Sequence, residues 1–188
     1  MDAGTSLSLL SYGIETVFNA LAGILIIIGM WMINIKAGYK GWEALIPFYN
    51  IYVLTGISGK KSLFWWYLAL AIGEIISLVL FIFTLIGSFT VFTGDDYVGN
   101  IYIGHGNATL IGMWGGFLVT FALAGIFIIG IFLVYIFMCI GLAKSFGLNG
   151  GYAVGLIFLP FVFFPIIGFS GNIRYIGPDG VMNYGQYV

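Results

Sequence analysis

Charge is scarce in this sequence: 7% of its residues are Asp, Glu, Lys or Arg, against 61% hydrophobic, and the mean hydropathy is +1.11. Soluble domains carry about 25% charged residues, so a soluble fold is excluded. The few charges also nearly balance, with six Lys and Arg against seven Asp and Glu. Phosphate neutralisation needs clustered cations, so nucleic acid is excluded as a partner. Cysteine is nearly absent. Cys139 is the single one, which rules out an intrachain disulfide and any Cys-based metal spacing, and its apolar surroundings predict a buried, inert thiol. A basic n-region is missing too: MDAGTSLSLLSYGIETVFN holds Asp2 and Glu15 and no Lys or Arg. A cleavable signal peptide is therefore not expected, and the first helix is expected to be retained.

Long apolar runs dominate what is present. Crossing about 30 Å of hydrocarbon takes about 20 helical residues, and four runs approach or exceed that length, at about residues 17–35, 63–92, 113–142 and 152–169. The first carries Asn19 and Asn34 near its two ends, where water or headgroups can satisfy them. The second opens on Trp65 and Trp66, which suit a membrane interface. The fourth is interrupted by Pro160 and Pro165. These runs predict an all-α fold, an integral membrane helical bundle of four transmembrane helices forming a single domain over residues 1–188. A polar loop is expected over 93–112 and a polar, turn-rich tail over 170–188.

Between the first and second spans lies WEALIPFYNIYVLTGI, residues 42–57. As a helix it reaches only about 24 Å at 1.5 Å per residue, short for a crossing. A Pro-containing interfacial or re-entrant helix over about 41–57 is the expectation. Trp42, Tyr49 and Tyr52 would sit at headgroup depth, Glu43 and Asn50 would stay wet, and Pro47 would kink the segment. Lys40, Lys60 and Lys61 flank it and can meet anionic lipid phosphates, as can Lys144. With four spans, five of the six cations, Lys36, Lys40, Lys60, Lys61 and Lys144, fall on one side, which the positive-inside rule makes cytoplasmic. Both termini and Arg174 are then expected on the opposite side.

Glu74 is the sharpest single residue. It lies about 16 Å into the second span, counted from Leu63, near the bilayer midplane. A carboxylate there must be protonated, hydrogen-bonded to another helix or exposed to water. It reads either as a proton- or cation-coupling site or as a neutral acid fixing a helix contact, and no second intramembrane acid or base offers a relay. Asp95, Asp96 and His105 lack any diagnostic metal spacing and read as a solvated turn. Asn107-Ala108-Thr109 fits a glycosylation sequon of high chance frequency. Gly112–Gly116 and Gly151–Gly155 have the spacing that lets membrane helices approach closely.

Two blocks, KAGYKGWEALIPFYNIYVLTGISGKKSLFWW and GLAKSFGLNGGYAVGLIFLPFVFFPIIGF, resemble a prokaryotic family of small multi-pass membrane proteins of unknown function. The shared pattern of that family runs GxxGWxxLIPxYNxYxL…GxxxWW and then LAKSFGxxxxxxxGLxFLPFxFxPxxGF. The segment between the blocks is longer here. Members are sometimes fused to, or labelled as, signal-peptidase-like proteins, an activity that requires a serine nucleophile and a lysine base in an extracellular domain. No such pair or domain can be named in this chain. The expectation is a non-enzymatic membrane protein in the cell (inner) membrane of a prokaryote. It would be a structural or accessory subunit of a complex, in contact with lipids and with other subunits or copies of itself, and would need no cofactor or metal. The alternative is a small transporter, channel or lipid-handling protein using Glu74.

Overall fold

A computed structural model describes residues 3–93 and 106–180, with side chains over 4–86, 114–178 and 180. The described residues are helical apart from short connections. α1 runs Ala3–Lys36, a 3-10 turn Gly41–Leu45, α2 Tyr49–Ile57, α3 Ser62–Thr93, α4 Gly106–Ser145, α5 Gly150–Phe158 and α6 Pro160–Phe169. Among the described residues three helices are long and apolar enough to cross a membrane, over Gly4–Lys36, Ser62–Ile86 and Trp114–Ser145. The chain is an integral membrane protein, and the expected fourth span is not one helix but two short ones.

The reason lies at Pro160. Proline has no N–H to continue a helix, and its ring disfavours helical geometry in the residue before it. Leu159 accordingly leaves the helical region at φ −131° and ψ 56°. Its N–H closes α5 on the Gly155 carbonyl at 2.8 Å, and its own carbonyl accepts from Val162 and Phe163 at 3.0 and 3.1 Å to open α6. Two helices of nine and ten residues result, each about 14–15 Å long. They fold back on each other, with the Phe163 ring edge-on to Tyr152 at 5.8 Å.

The expected helix over 41–57 is also replaced. Pro47 separates the 3-10 turn from α2 for the same reason: Ile46 is extended at φ −87° and ψ 113°. Phe48 then takes φ 65° and ψ −46°, and the Tyr49 N–H donates to the Pro47 carbonyl at 2.8 Å. That is the rare positive-φ γ-turn, strained for a residue with a Cβ. Neither piece is an interfacial helix lying free of the bundle, because Val53 to Ile57 are buried in the core.

Two compact units divide the chain: Met1–Phe64 with Tyr135–Val188, and Trp65–Val134. In the first, Ile33, Val53, Leu54, Ile57, Met138, Cys139, Leu142, Leu156, Phe164 and Ile167 form one buried cluster. Glycine sets the closest approach. A methyl at Gly29 of α1 would fall 2.5 Å from the Phe164 carbonyl carbon of α6, and one at Gly168 would fall 2.9 Å from the Gly29 carbonyl oxygen. Both glycines are needed for the two backbones to meet. The coil after α6 returns to the lysine-bearing end of the unit, where the Ile176 N–H donates to the Ser145 carbonyl at 2.8 Å.

The second unit is an antiparallel pair made from the bodies of α3 and α4. Gly73 faces Phe127, Gly130 faces Leu70, and Gly116 lies 3.3 Å, measured from where its Cβ would be, from the Thr84 methyl. Ser77 Oγ donates across the seam to the Thr120 carbonyl at 3.1 Å. Outward-facing Ile72, Ile75, Ile76, Leu78 and Phe83 are exposed, as lipid-facing side chains are.

Candidate functional site

The most unusual chemistry gathers where α1, the 3-10 turn and α2 meet. Met30, Trp31 and Asn34 are neighbours on one side of α1, since residues three and four apart share a helix face. Met30 meets α2, where Asn50 Nδ2 donates to its sulfur at 3.1 Å. Trp31 meets the turn: its indole lies against Gly41, where any side chain would collide with the ring. Asn34 lies between these two on the helix face. Its side chain is fully buried, and Glu43 of the turn is buried as well.

Polar atoms at this junction lack partners. Asn34 Oδ1 and Nδ2, Glu43 Oε2 and Asn50 Oδ1 are all buried without a hydrogen bond. Buried polar groups are nearly always paired, and each orphan costs about 1–3 kcal/mol, more when charged. The Tyr39 N–H bonds to the Asn34 carbonyl at 2.8 Å, and its phenol oxygen lies 3.2 Å from where a Cβ on Gly56 of α2 would stand. Burial, and then the charges of Tyr52, Glu43 and Tyr49, push its phenol up from the ordinary value.

Only part of the expected set comes together here. Glu43 and Asn50 do, Glu43 buried and Asn50 half-buried rather than wet, and Asn34 is buried where headgroup contact was expected. Trp42, Pro47 and Tyr49 are exposed on the outside of the same segment. Lys40, Lys61 and Lys144 are exposed, while half-buried Lys60 places its ammonium 5.6 Å from the Phe137 ring centroid. Lys144 rims a groove of about 360 Å³ whose walls include Ile140, Asn149, Val154 and Ile157. Asp95, Asp96 and His105 lie outside the described residues, as do the side chains of the Asn107 sequon and the surroundings of Gly112. Gly155 packs under the Phe163 ring, so its spacing serves the α5–α6 turn.

Glu74 belongs to the second unit. It is half-buried, one turn before Ser77 and so on the face turned to α4, and its Oε2 is buried without a partner.

Sequence reading passed over Lys36 as a site. Its Nζ donates to the carbonyls of Ile167, Ser170 and Ile173 at 2.6, 2.7 and 3.1 Å, capping the C-terminus of α6 with a cation where the helix dipole favours one. The only signal was a lysine at the end of a span, which reads equally well as an anchor. Met30 and Tyr39 gave no signal, because their roles depend on which element lies against them.

Among the described residues no group of three His, Cys, Asp or Glu side chains is placed to hold a metal. Fold and site together define a small helical membrane protein. Residues 42–115 and 108–178 each match one family, described as a family of unknown function (DUF5684), and the chain belongs to it. No curated protein and no solved structure matches the chain.

Proposed function

We propose that this protein is a structural or accessory subunit of a membrane complex. The observation that carries the reading is the outer half of α1. From Gly4 to Val17 the helix is largely exposed, with Leu7, Leu9, Leu10, Ile14 and Val17 outward, and Gly13 and Gly23 have open space where a Cβ would stand. Unpacked glycine in a helix costs about 1 kcal/mol relative to alanine, and close approach of another membrane helix would repay it. The test is extraction in mild detergent followed by mass determination and identification of co-purifying chains. A reproducible stoichiometric complex supports the reading; a lone monomer sinks it.

Orientation follows from three spans rather than four. Lys36 ends α1, Lys60 and Lys61 precede α3, and Lys144 ends α4. Arg174 lies in the coil that returns to Ser145, next to Ile173 on Lys36. All six cations then share one end, which the positive-inside rule assigns to the cytoplasm. On this reading the N-terminus is on the other side and the coil after α6 is cytoplasmic, whereas the four-span expectation put both termini outside. A prokaryotic cell membrane is the location implied by the family resemblance.

Transport or ion handling is the second reading, supported by unpaired buried oxygens at Glu74 and at the α1–α2 junction. Its test is flux through reconstituted vesicles. Glu74→Gln abolishes flux while leaving folding intact if the reading holds, and retains it otherwise.

A further inference from the structure

The junction of α1, the 3-10 turn and α2 leaves three acceptor oxygens buried without donors: Glu43 Oε2, Asn34 Oδ1 and Asn50 Oδ1. Their elements are held together independently of that chemistry. Gly41 packs on Trp31, the Asn50 amide bonds the Met30 sulfur at 3.1 Å, and Tyr39 N–H bonds the Asn34 carbonyl at 2.8 Å. Asn34, one turn from Met30 and from Trp31, is therefore enclosed between the turn that bears Glu43 and the helix that bears Asn50. Two of the three side chains are more than nine-tenths buried, Asn34 at 0% exposed and Glu43 at 8%.

A buried carboxylate needs a positive charge beside it, because in a low-dielectric interior an uncompensated charge is strongly unfavourable. The lysines nearest in sequence do not supply it: Lys36 is spent on the Ile167, Ser170 and Ile173 carbonyls, and Lys40 is exposed. One carboxylate and two neutral amide oxygens carry a single negative charge. A monovalent cation cancels that charge; a divalent one would leave an excess positive charge in the interior. Oxygen donors without sulfur or imidazole select hard ions. Asn34 Nδ2, the remaining unpaired donor, suits a water completing the coordination shell.

We propose that this junction binds one hard monovalent cation of the sodium class, held by Glu43 Oε2, Asn34 Oδ1 and Asn50 Oδ1. The ion ties the 3-10 turn and α2 to α1, and so holds the cytoplasmic face of the first unit together. It enters from the side of the turn on which Lys40 and Trp42 are exposed. This site does not depend on the subunit reading, and it is measured on the isolated chain, so its failure leaves that reading standing.

The experiment is equilibrium binding of radioactive sodium to the full-length protein in detergent, paired with thermal unfolding in sodium, potassium and choline chloride at equal ionic strength. The expected result is one saturable sodium ion per chain, a melting temperature that rises with sodium and not with choline, and at least tenfold weaker binding in Glu43→Gln. Asn50→Ala, which leaves the carboxylate in place, is expected to weaken binding with a smaller effect on folding and serves if Glu43→Gln does not fold. Absence of saturable binding to the unaltered protein overturns the proposal. Melting temperatures equal in sodium and choline, with stability that rises only on acidification, would assign a proton to Glu43 in place of the ion and overturn it too. Undiminished binding in both variants would put the ion elsewhere.

Discussion

Lys36 Nζ lies 2.7 Å from the Ser170 carbonyl oxygen, with the Ile167 carbonyl at 2.6 Å, so the last residue of α1 caps the last turn of α6. Hydrogen bonds from a charged donor contribute about 1.5–3 kcal/mol each, less where water reaches the group, and half-buried Lys36 falls between the limits. Lys36→Met is expected to destabilise the protein by about 2 kcal/mol and to lower its melting temperature in detergent, while Lys36→Arg retains part of the effect. An unchanged melting temperature in Lys36→Met would show that the cap adds nothing.

Gly29 and Gly168 meet backbone to backbone. Gly29→Val forces α6 off α1, and overpacking of this kind costs about 1–3 kcal/mol. Gly13→Val, placed where there is open space, is expected to leave the melting temperature of the isolated chain unchanged. Equal effects of the two substitutions would contradict the α1–α6 contact.

Membrane sidedness separates three spans from four. Cysteine placed at Asn172 is expected to react with an impermeant maleimide from the same side as cysteine at Lys61, and cysteine at Ser6 from the opposite side. Native Cys139 is fully buried and should stay silent until the protein is unfolded. Labelling of residues 172 and 6 from one side would restore the fourth span.

Alkaline pH should weaken the α1–α2 junction. The Tyr39 phenol is raised above its ordinary value of 10.0, so its contribution is fully present below about pH 10. As pH rises past that value the unfolded chain loses the proton first, and stability declines until the folded phenol has ionised too. Tyr39→Phe removes that component of the alkaline decline, as read from melting temperature against pH between about pH 9 and 12. An identical profile in the variant would show that Tyr39 does not contribute.

Composition and run length alone determined that this is a helical membrane protein, because the 7% charge content cannot solvate a surface and long apolar runs must be helical to satisfy their backbone in lipid. Cys139 was legible as a buried thiol for the same reason, and the α3 and α4 runs were long enough to identify their helices. Only the tertiary structure decided what became of the proline-containing segments. Leu159–Pro160 could kink a span or end one helix and start another, and the packing of α6 on Gly29 favoured the second. Likewise the polarity of Glu43, Asn34 and Asn50 pointed toward water when each was read in its own segment. Their burial depends on Trp31 seating Gly41 and on the turn at Phe48 directing α2 against Met30, contacts between residues distant in the chain that no local pattern encodes.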